Sequence, residues 1–310
     1  MTAHDFAFAD DSAFRYTFFV VNSIVFLDSG IGGIPYFLHT LKYIPDIQGV
    51  YIADTGFFPY GTKDAGPLQD RLLAVVRAAQ LICDPQVYVL ACNTASVIGL
   101  QELRGNFAAT FVGTVPAVKP AVSFSKNRKI GIMATEHTVQ DPYFSALLTN
   151  YASNCRITTL PDTKLIMDIE EHFFDLSSNT AADAAEFFLR AGTDTVVLGC
   201  THFVHIEKFL LQIWDGAIRT VDSRAGITRQ IYRRLHGTAR EFEAHDLLPD
   251  ISPDIPHEEL RKRTSFYITS EDREQYYHAI SDHFGLNFFG FLNVSGLRGA
   301  AKRNVRNFPI

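Results

Sequence analysis

A chain of 310 residues is longer than the roughly 100–200 residues of an ordinary domain, so two domains are expected. With 47% hydrophobic residues and a formal charge of −6 it can fill two cores, and it has no basic block for nucleic acid or an anionic membrane surface. Its four cysteines, Cys83, Cys92, Cys155 and Cys200, contain no CxxC pair, which argues against a disulfide framework or zinc and fits reduced thiols in cytoplasm.

Residues 1–21 read as an N-terminal extension. The apolar stretch YTFFVVNSIVFL, residues 16–27, follows acidic residues and runs into the loop DSGIGG without a small-residue cleavage motif. It therefore reads as a first core strand rather than a secretory signal. No run reaches the roughly 18 apolar residues that span a bilayer, so a soluble protein with no membrane contact is expected. PLQDRLLAVVRAAQLIC, residues 67–83, places Leu68, Leu72, Val75, Val76, Ala79 and Ile82 at helical spacing behind a proline suited to a first turn. It leads into the β-branched run QVYVLA and then Cys92. NTAADAAEFFLRAG, residues 179–192, ends on a glycine suited to a helix C-cap and leads into DTVVLG and Cys200. VDSRAGITRQIYRRL, from Val221, carries another helix signal, whereas the proline-rich, acidic stretch at about 237–262 reads as an insertion. RKRT, residues 261–264, is the densest basic cluster and reads as a solvated helix end. RTSFYITSEDREQYYHAISDHFG, residues 263–285, supplies one more strand and helix, and residues 291–310 a tail.

The two halves repeat. Ile24 and Ile130 open matching strand signals 106 residues apart; Val50 and Ile157 stand 107 apart, Cys92 and Cys200 108, and the runs ending at Val115 and Val221 106. The expected fold is α/β: two similar doubly wound domains related by pseudo-two-fold symmetry, with the active site between them. Residues 22–115 plus 222–290 form the first domain and 116–221 the second. Ligands of such sheets bind beyond the carboxyl ends of the strands, where both cysteines fall.

A helix N-terminus offers unpaired amides that bind anions and lower a thiol's pKa. Two cysteines at matched helix starts, followed by Asn93 and Thr94 in one half and Thr201 and His202 in the other, could face one carbon from opposite sides. Two acid/base groups so placed remove a proton from one face and return one to the other, with no cofactor. Cys83 and Cys155 read as packing residues. His202 could relay protons, and the HxxH it makes with His205 is a poor metal motif without further ligands.

DSGIGG, residues 28–33, is not a dinucleotide fingerprint, because Pro35 stands where the third glycine of G-x-G-x-x-G belongs; Asp54 at the next strand end keeps that reading weakly alive. The alternative is that Gly30, Gly32 and Gly33 admit a small ligand closely, with Asp28 facing an ammonium group. Asp28 and Ser29 would also serve as a helix N-cap.

DSGIGG (28–33), DTGFFPYG (54–61), ACNTAS (91–96), ATEHT (134–138) and LGCTH (198–202), in this order, resemble the glutamate racemases of the aspartate/glutamate racemase superfamily. The resemblance covers residues 22–236 and, more faintly, the strand and helix near the end. It implies cofactor-independent interconversion of L- and D-glutamate in the cytoplasm, supplying D-glutamate for peptidoglycan, by a homodimer. It further implies that Cys92 takes the α-proton of D-glutamate and Cys200 that of L-glutamate, with Asp28, His202 and Glu170 assisting. Substrate contacts are implied for Asp28, Ser29, Pro59, Tyr60, Gly61, Asn93, Thr94, Thr138, Thr201 and His202. Two departures stand out. Phe203 and Val204 replace the family's Tyr-Pro after CTH, and Met167 and Asp168 interrupt the stretch that carries Glu170.

The rival readings are a racemase of another acidic amino acid such as aspartate, a cysteine hydrolase using one thiol with His202 as base, and a non-catalytic binding protein. A hydrolase gives no reason for the second cysteine.

Overall fold

The computed structural model describes residues 23–237 and 255–296. The expected extension at 1–21, most of the expected insertion and the tail beyond residue 296 therefore lie outside the described residues.

The first half runs β1 (Ser23–Asp28), α1 (Ile34–Tyr43), β2 (Gln48–Ala53), α2 (Ala65–Ile82), β3 (Val87–Leu90), α3 (Asn93–Asn106), β4 (Thr110–Gly113) and α4 (Val118–Phe124). The second runs β5 (Lys129–Ala134), α5 (Glu136–Gln140), α6 (Pro142–Tyr151), β6 (Arg156–Pro161), α7 (Thr163–Glu171), α8 (Ser178–Ala191), β7 (Thr195–Leu198), α9 (Glu207–Trp214) and β8 (Arg219–Val221). The chain ends its described part with α10 (Arg224–His236), α11 (His257–Arg263), β9 (Thr264–Ile268), α12 (Glu274–His283) and β10 (Phe288–Phe291).

Two sheets result. The first has the order β10-β9-β2-β1-β3-β4 and the second β6-β5-β7-β8, with every pairing parallel. Without β9 and β10, the second sheet has the first sheet's order with each strand number advanced by four, so the sequence repeat is a repeat of topology. β9 joins the edge of β2, as the strand signal there suggested. The edge strand β10 has no counterpart in the sequence reading; of α11, which lies almost wholly inside the expected insertion, only the basic end at residues 261–263 reads as a helix end in the sequence.

Strands of a parallel sheet are buried on both faces, and alternation sorts their side chains between two cores. Ile24 and Phe26 of β1 enter a large core that runs on to Val196, Leu198 and Trp214 of the second half. Val25 and Leu27 enter a separate core beneath α2. Leu68, Leu72, Val75, Val76 and Ala79 of α2 are all buried, as their spacing predicts. Gly192 ends α8 with φ 66°, the left-handed conformation that favours glycine. In β5, Ile130 and Ile132 face an outer core, while Met133 joins the large one.

Gly131, between those isoleucines, has no room for a side chain: a Cβ would lie 2.9 Å from Val196 Cγ2 and collide with the Phe188 ring. Overpacking of this kind costs about 1–3 kcal/mol. Gly131→Ala is therefore expected to lower Tm by roughly 5 °C. Gly66→Ala in α2, whose Cβ would meet nothing within 4 Å, leaves Tm unchanged or slightly raised. Thermal unfolding followed by circular dichroism compares the two.

Candidate active site

Carboxyl ends of strands from both sheets meet at one buried centre. β3 ends one residue before Ala91 and Cys92, and Cys92 is the residue from which α3 starts. β7 ends before Gly199 and Cys200, which precedes a 3₁₀ turn, Thr201–Ile206, rather than the α-helix expected there. Phe203 and Val204, the departures from Tyr-Pro, lie in that turn and are fully buried in the large core. Both thiols are buried, each 7% exposed.

Asp28, at the end of β1, is completely buried. Its Oδ2 accepts the Thr201 hydroxyl at 3.0 Å, and its Oδ1 accepts the Gly30 amide at 3.4 Å and the Ser29 hydroxyl at 3.3 Å. The Thr201 bond ties the first sheet's strand end to the second half's thiol turn. Across the same gap Thr94 and Thr135 hydroxyls lie 3.4 Å apart, and Thr135 caps α5 by accepting the Thr138 amide at 3.1 Å. Gly61 rests on the Thr135 side chain.

Cys200 belongs to a relay of titratable groups. Its Sγ lies 3.8 Å from His202 Nδ1, and His202 Nε2 lies 2.8 Å from Glu170 Oε2. Glu170 Oε2 also accepts the Ile31 amide at 2.9 Å, and Oε1 accepts the Tyr277 hydroxyl at 2.9 Å. The altered stretch around Glu170 keeps helical periodicity. Leu165, Ile166, Ile169 and Glu170 face inward, whereas Met167 is exposed and Asp168 pairs with His172 at the surface. The departures thus fall on the solvent side of α7.

These contacts set the protonation states. Burial pushes the Cys92 thiol well above the usual range, helped by the nearby Asp28 and Cys200; the Thr94 and Ala95 amides pull it down without prevailing. The expected lowering by a helix N-terminus is therefore present but outweighed. Burial raises Asp28 as well, against the charge of His202. Burial would lower His202, yet Cys200 and Glu170 hold it well above an ordinary histidine. Glu170 is held below its usual value despite burial, chiefly by the bond to His202.

The glycines of DSGIGG admit close approach by the protein's own side chains. A Cβ on Gly30 would strike the Glu170 carboxylate, one on Gly32 would meet Thr201 Oγ1 and the His202 ring, and one on Gly33 would lie 2.8 Å from Asp28 Oδ2. The loop is glycine-rich because the protein's own charged groups press against it. Asp54 is also accounted for: it accepts the Tyr60 hydroxyl at 2.7 Å, Thr269 at 2.5 Å and the Arg71 guanidinium. No ribose role is left for it, and the Tyr60 hydroxyl is engaged by its carboxylate. Pro59 follows a cis peptide bond, and the preceding Phe58 ring packs on His202 at 5.7 Å.

Of the sequence candidates, Cys92, Cys200, Asp28, Ser29, Gly61, Asn93, Thr94, Thr138, Thr201, His202 and Glu170 cluster here, all but Gly61 buried. Tyr60 and Pro59 flank the centre. His205 faces the Ile31 carbonyl at 3.1 Å and is pushed down to about 3 by burial and by His202, so it turns to a different partner from His202. Cys83 sits at the end of α2, its thiol pushed up to about 12 by burial, and Cys155 lies half-buried near Asn154. Sequence reasoning missed Phe58, Thr135, Tyr277 and Tyr51, whose buried hydroxyl donates to the Gly30 carbonyl at 2.8 Å. Thr135 could have been found as the N-cap in ATEHT; the aromatic residues carry no local signal. No helix among the described residues is long and apolar enough to cross a membrane.

Fold and site together define a class: two α/β halves of one strand order that share a buried centre of thiols, carboxylates and imidazole. Comparison with known proteins narrows it. The family model for Asp/Glu/Hydantoin racemase matches residues 47–225. A glutamate racemase of Treponema pallidum is 34% identical over 278 residues, covering 87% of this chain and 96% of its own. The crystal structure of Escherichia coli glutamate racemase in complex with L-glutamate and the activator UDP-MurNAc-ala superposes with a TM-score of 0.76 at 30% identity, covering 89% of this chain and 99% of that one. The glutamate racemase isoform RacE1 of Bacillus anthracis, at 20% identity and a TM-score of 0.69, shares the fold over 86% of this chain and 96% of its own. The chain belongs to the Asp/Glu/Hydantoin racemase family. It is an isomerase, an amino-acid racemase.

The Glu170–His202 pair gives a direct test. Glu170→Gln removes the charge that favours the imidazolium, so His202 is expected to titrate at lower pH than in the unaltered protein. Imidazole NMR across a pH series measures this; an unchanged titration would mean that the pair does not control His202.

Proposed function

We propose that the chain interconverts L- and D-glutamate without a cofactor, by two thiols acting on opposite faces of the α-carbon. The observation that carries the proposal is the pairing of topology with chemistry. Cys92 and Cys200 end equivalent strands of two like sheets, and both face one buried centre whose electrostatics link them.

From L-glutamate, a Cys200 thiolate accepts the α-proton, the C–H electron pair passes into the α-carbanion, and the Cys92 thiol donates its proton to the other face. Thiol and thiolate have then exchanged places, and D-glutamate runs the sequence backwards. The high pKa direction of Cys92 makes it the proton donor for the L-enantiomer, while the cationic His202 stands 3.8 Å from Cys200 Sγ to offset negative charge there. Asp28 takes the corresponding position on the Cys92 side. Asn93 Oδ1 is buried and has no hydrogen-bond partner among the described residues, which suits it to accept from the substrate ammonium. The amides and hydroxyls of Ser29, Thr94, Thr138 and Thr201 suit carboxylates.

With thiols only 7% exposed, substrate entry requires the halves to part and closure to exclude water. In this reading the halves are residues 22–115 with 222–290, and 116–221. The chain works as a cytoplasmic homodimer and supplies D-glutamate to peptidoglycan.

The relay Cys200–His202–Glu170 is also the order of groups in a thiol hydrolase. That reading leaves Cys92 without work and predicts a covalent intermediate.

Purified protein with no added cofactor is expected to abolish the optical rotation of L-glutamate and to act more slowly on L-aspartate. Cys92→Ala and Cys200→Ala should each lose at least about 100-fold in racemisation, the lower end of a general acid–base contribution. Full turnover by either variant would overturn the two-thiol mechanism, and faster turnover of aspartate would reassign the substrate.

A further inference from the structure

Glu170 is oriented from an unexpected direction. It sits at the end of α7 in the second half, yet the group facing its Oε1 comes from α12, near the end of the described chain, behind a strand of the first sheet. We propose that Tyr277 is a positioning residue, whose hydroxyl fixes the Glu170 carboxylate and through it the His202–Cys200 arm; this rests on the racemase reading above.

The geometry divides the carboxylate's two oxygens between two tasks. Oε2 takes His202 at 2.8 Å and the Ile31 amide at 2.9 Å. Oε1 takes the Tyr277 hydroxyl at 2.9 Å. The adjacent Tyr276 holds the same residue by its backbone, donating to the Glu170 carbonyl at 2.7 Å while accepting the Phe173 amide at 3.0 Å. Arg273, at the start of the same helix, donates to the Glu171 carbonyl at 2.8 Å and stacks on Tyr276 at 4.0 Å. Three side chains of one helix thus grip the end of α7. Only Tyr277 reaches the carboxylate, and a buried carboxylate oxygen that loses its donor is costly to keep charged.

The titratable groups that bear on Glu170 are His202 and His205 from the thiol turn, Asp28 from β1, Tyr51 from β2, and Tyr276 and Tyr277 from α12, with Arg273 beside the tyrosines. Tyr277→Phe leaves all the others and keeps the ring in its place in the large core, so it removes one hydrogen bond and little packing.

L- and D-glutamate have equal free energy, so kcat/KM must remain equal in the two directions for any variant. Damage to one arm therefore shows itself in isotope effects. Tyr277→Phe is expected to lower kcat/KM on the order of 10-fold in both directions. It should also raise the primary deuterium effect with α-deuterated L-glutamate, whose bond is broken at Cys200, and lower that with α-deuterated D-glutamate. Added to Glu170→Gln it should cost nothing further. In carboxylate NMR of Tyr277→Phe, Glu170 should titrate at higher pH than in the unaltered protein.

Unchanged isotope effects with an unmoved Glu170 titration would overturn the proposal and leave Tyr277 as packing. An unaltered protein that racemises no glutamate would instead sink the functional reading, and the Glu170 titration would still decide the role of Tyr277.

Discussion

A carboxylate and an imidazole 2.8 Å apart, with side-chain exposures of 1% and 2%, cannot remain charged in a protein interior on their mutual attraction alone. The rest of the centre is built around meeting that need. The Ile31 amide and the Tyr277 hydroxyl satisfy Glu170, and the Cys200 sulfur takes the other face of His202. The glycines at 30 and 32 exist so that backbone can come that close. Ile31 follows β1 of the first sheet, Tyr277 lies on α12 beyond that sheet's β9, and Glu170, His202 and Cys200 come from the second half. The pair is therefore also a seam between the two sheets.

The repeated topology places two thiols at equivalent strand ends but gives them different partners. Cys92 opens an α-helix beside a buried Asp28, and Cys200 opens a 3₁₀ turn beside a buried His–Glu pair. A reaction between enantiomers is energetically symmetric, yet its two half-reactions need one thiol to give a proton while the other takes one. Unlike surroundings make the two thiols inequivalent: burial and the nearby Asp28 raise Cys92, whereas Cys200 has the His202 imidazole 3.8 Å from its sulfur. Asymmetric partners around symmetric thiols are thus compatible with a symmetric overall reaction.

Much of this was legible in the chain. The offsets near 107 residues reported the repeated strand order, because a strand buried on both faces leaves a compact β-branched run that survives divergence elsewhere. The cysteines, Asp28 and His202 were legible because they adjoin such runs. Glu170 was visible only by resemblance, since its helix exposes Met167 and Asp168 and hides Glu170 by periodicity. Glycine shows only that something approaches closely; at Gly30 and Gly32 the sequence could not say that the neighbours include the side chains of Glu170, Thr201 and His202, more than 100 residues distant. Tyr277 and Phe58 could not be seen at all, because their importance lies in tertiary contacts and their own segments read as ordinary helix and loop. The edge strand β10, with Gly290 at φ 93° and a shifted register against β9, lacked the alternation that marks a strand.

The central claim is that protons reach the α-carbon from two separate thiols, and the isotopic fate of the substrate tests it most directly. L-glutamate would be turned over briefly in deuterated water, and the unreacted L-form and newly formed D-form separated and analysed for α-deuterium. Two separate donors predict deuterium in nearly all of the D-product and almost none in the remaining L-substrate. Deuterium appearing equally in both, or product that keeps the original proton, would show a single shared base and contradict the account.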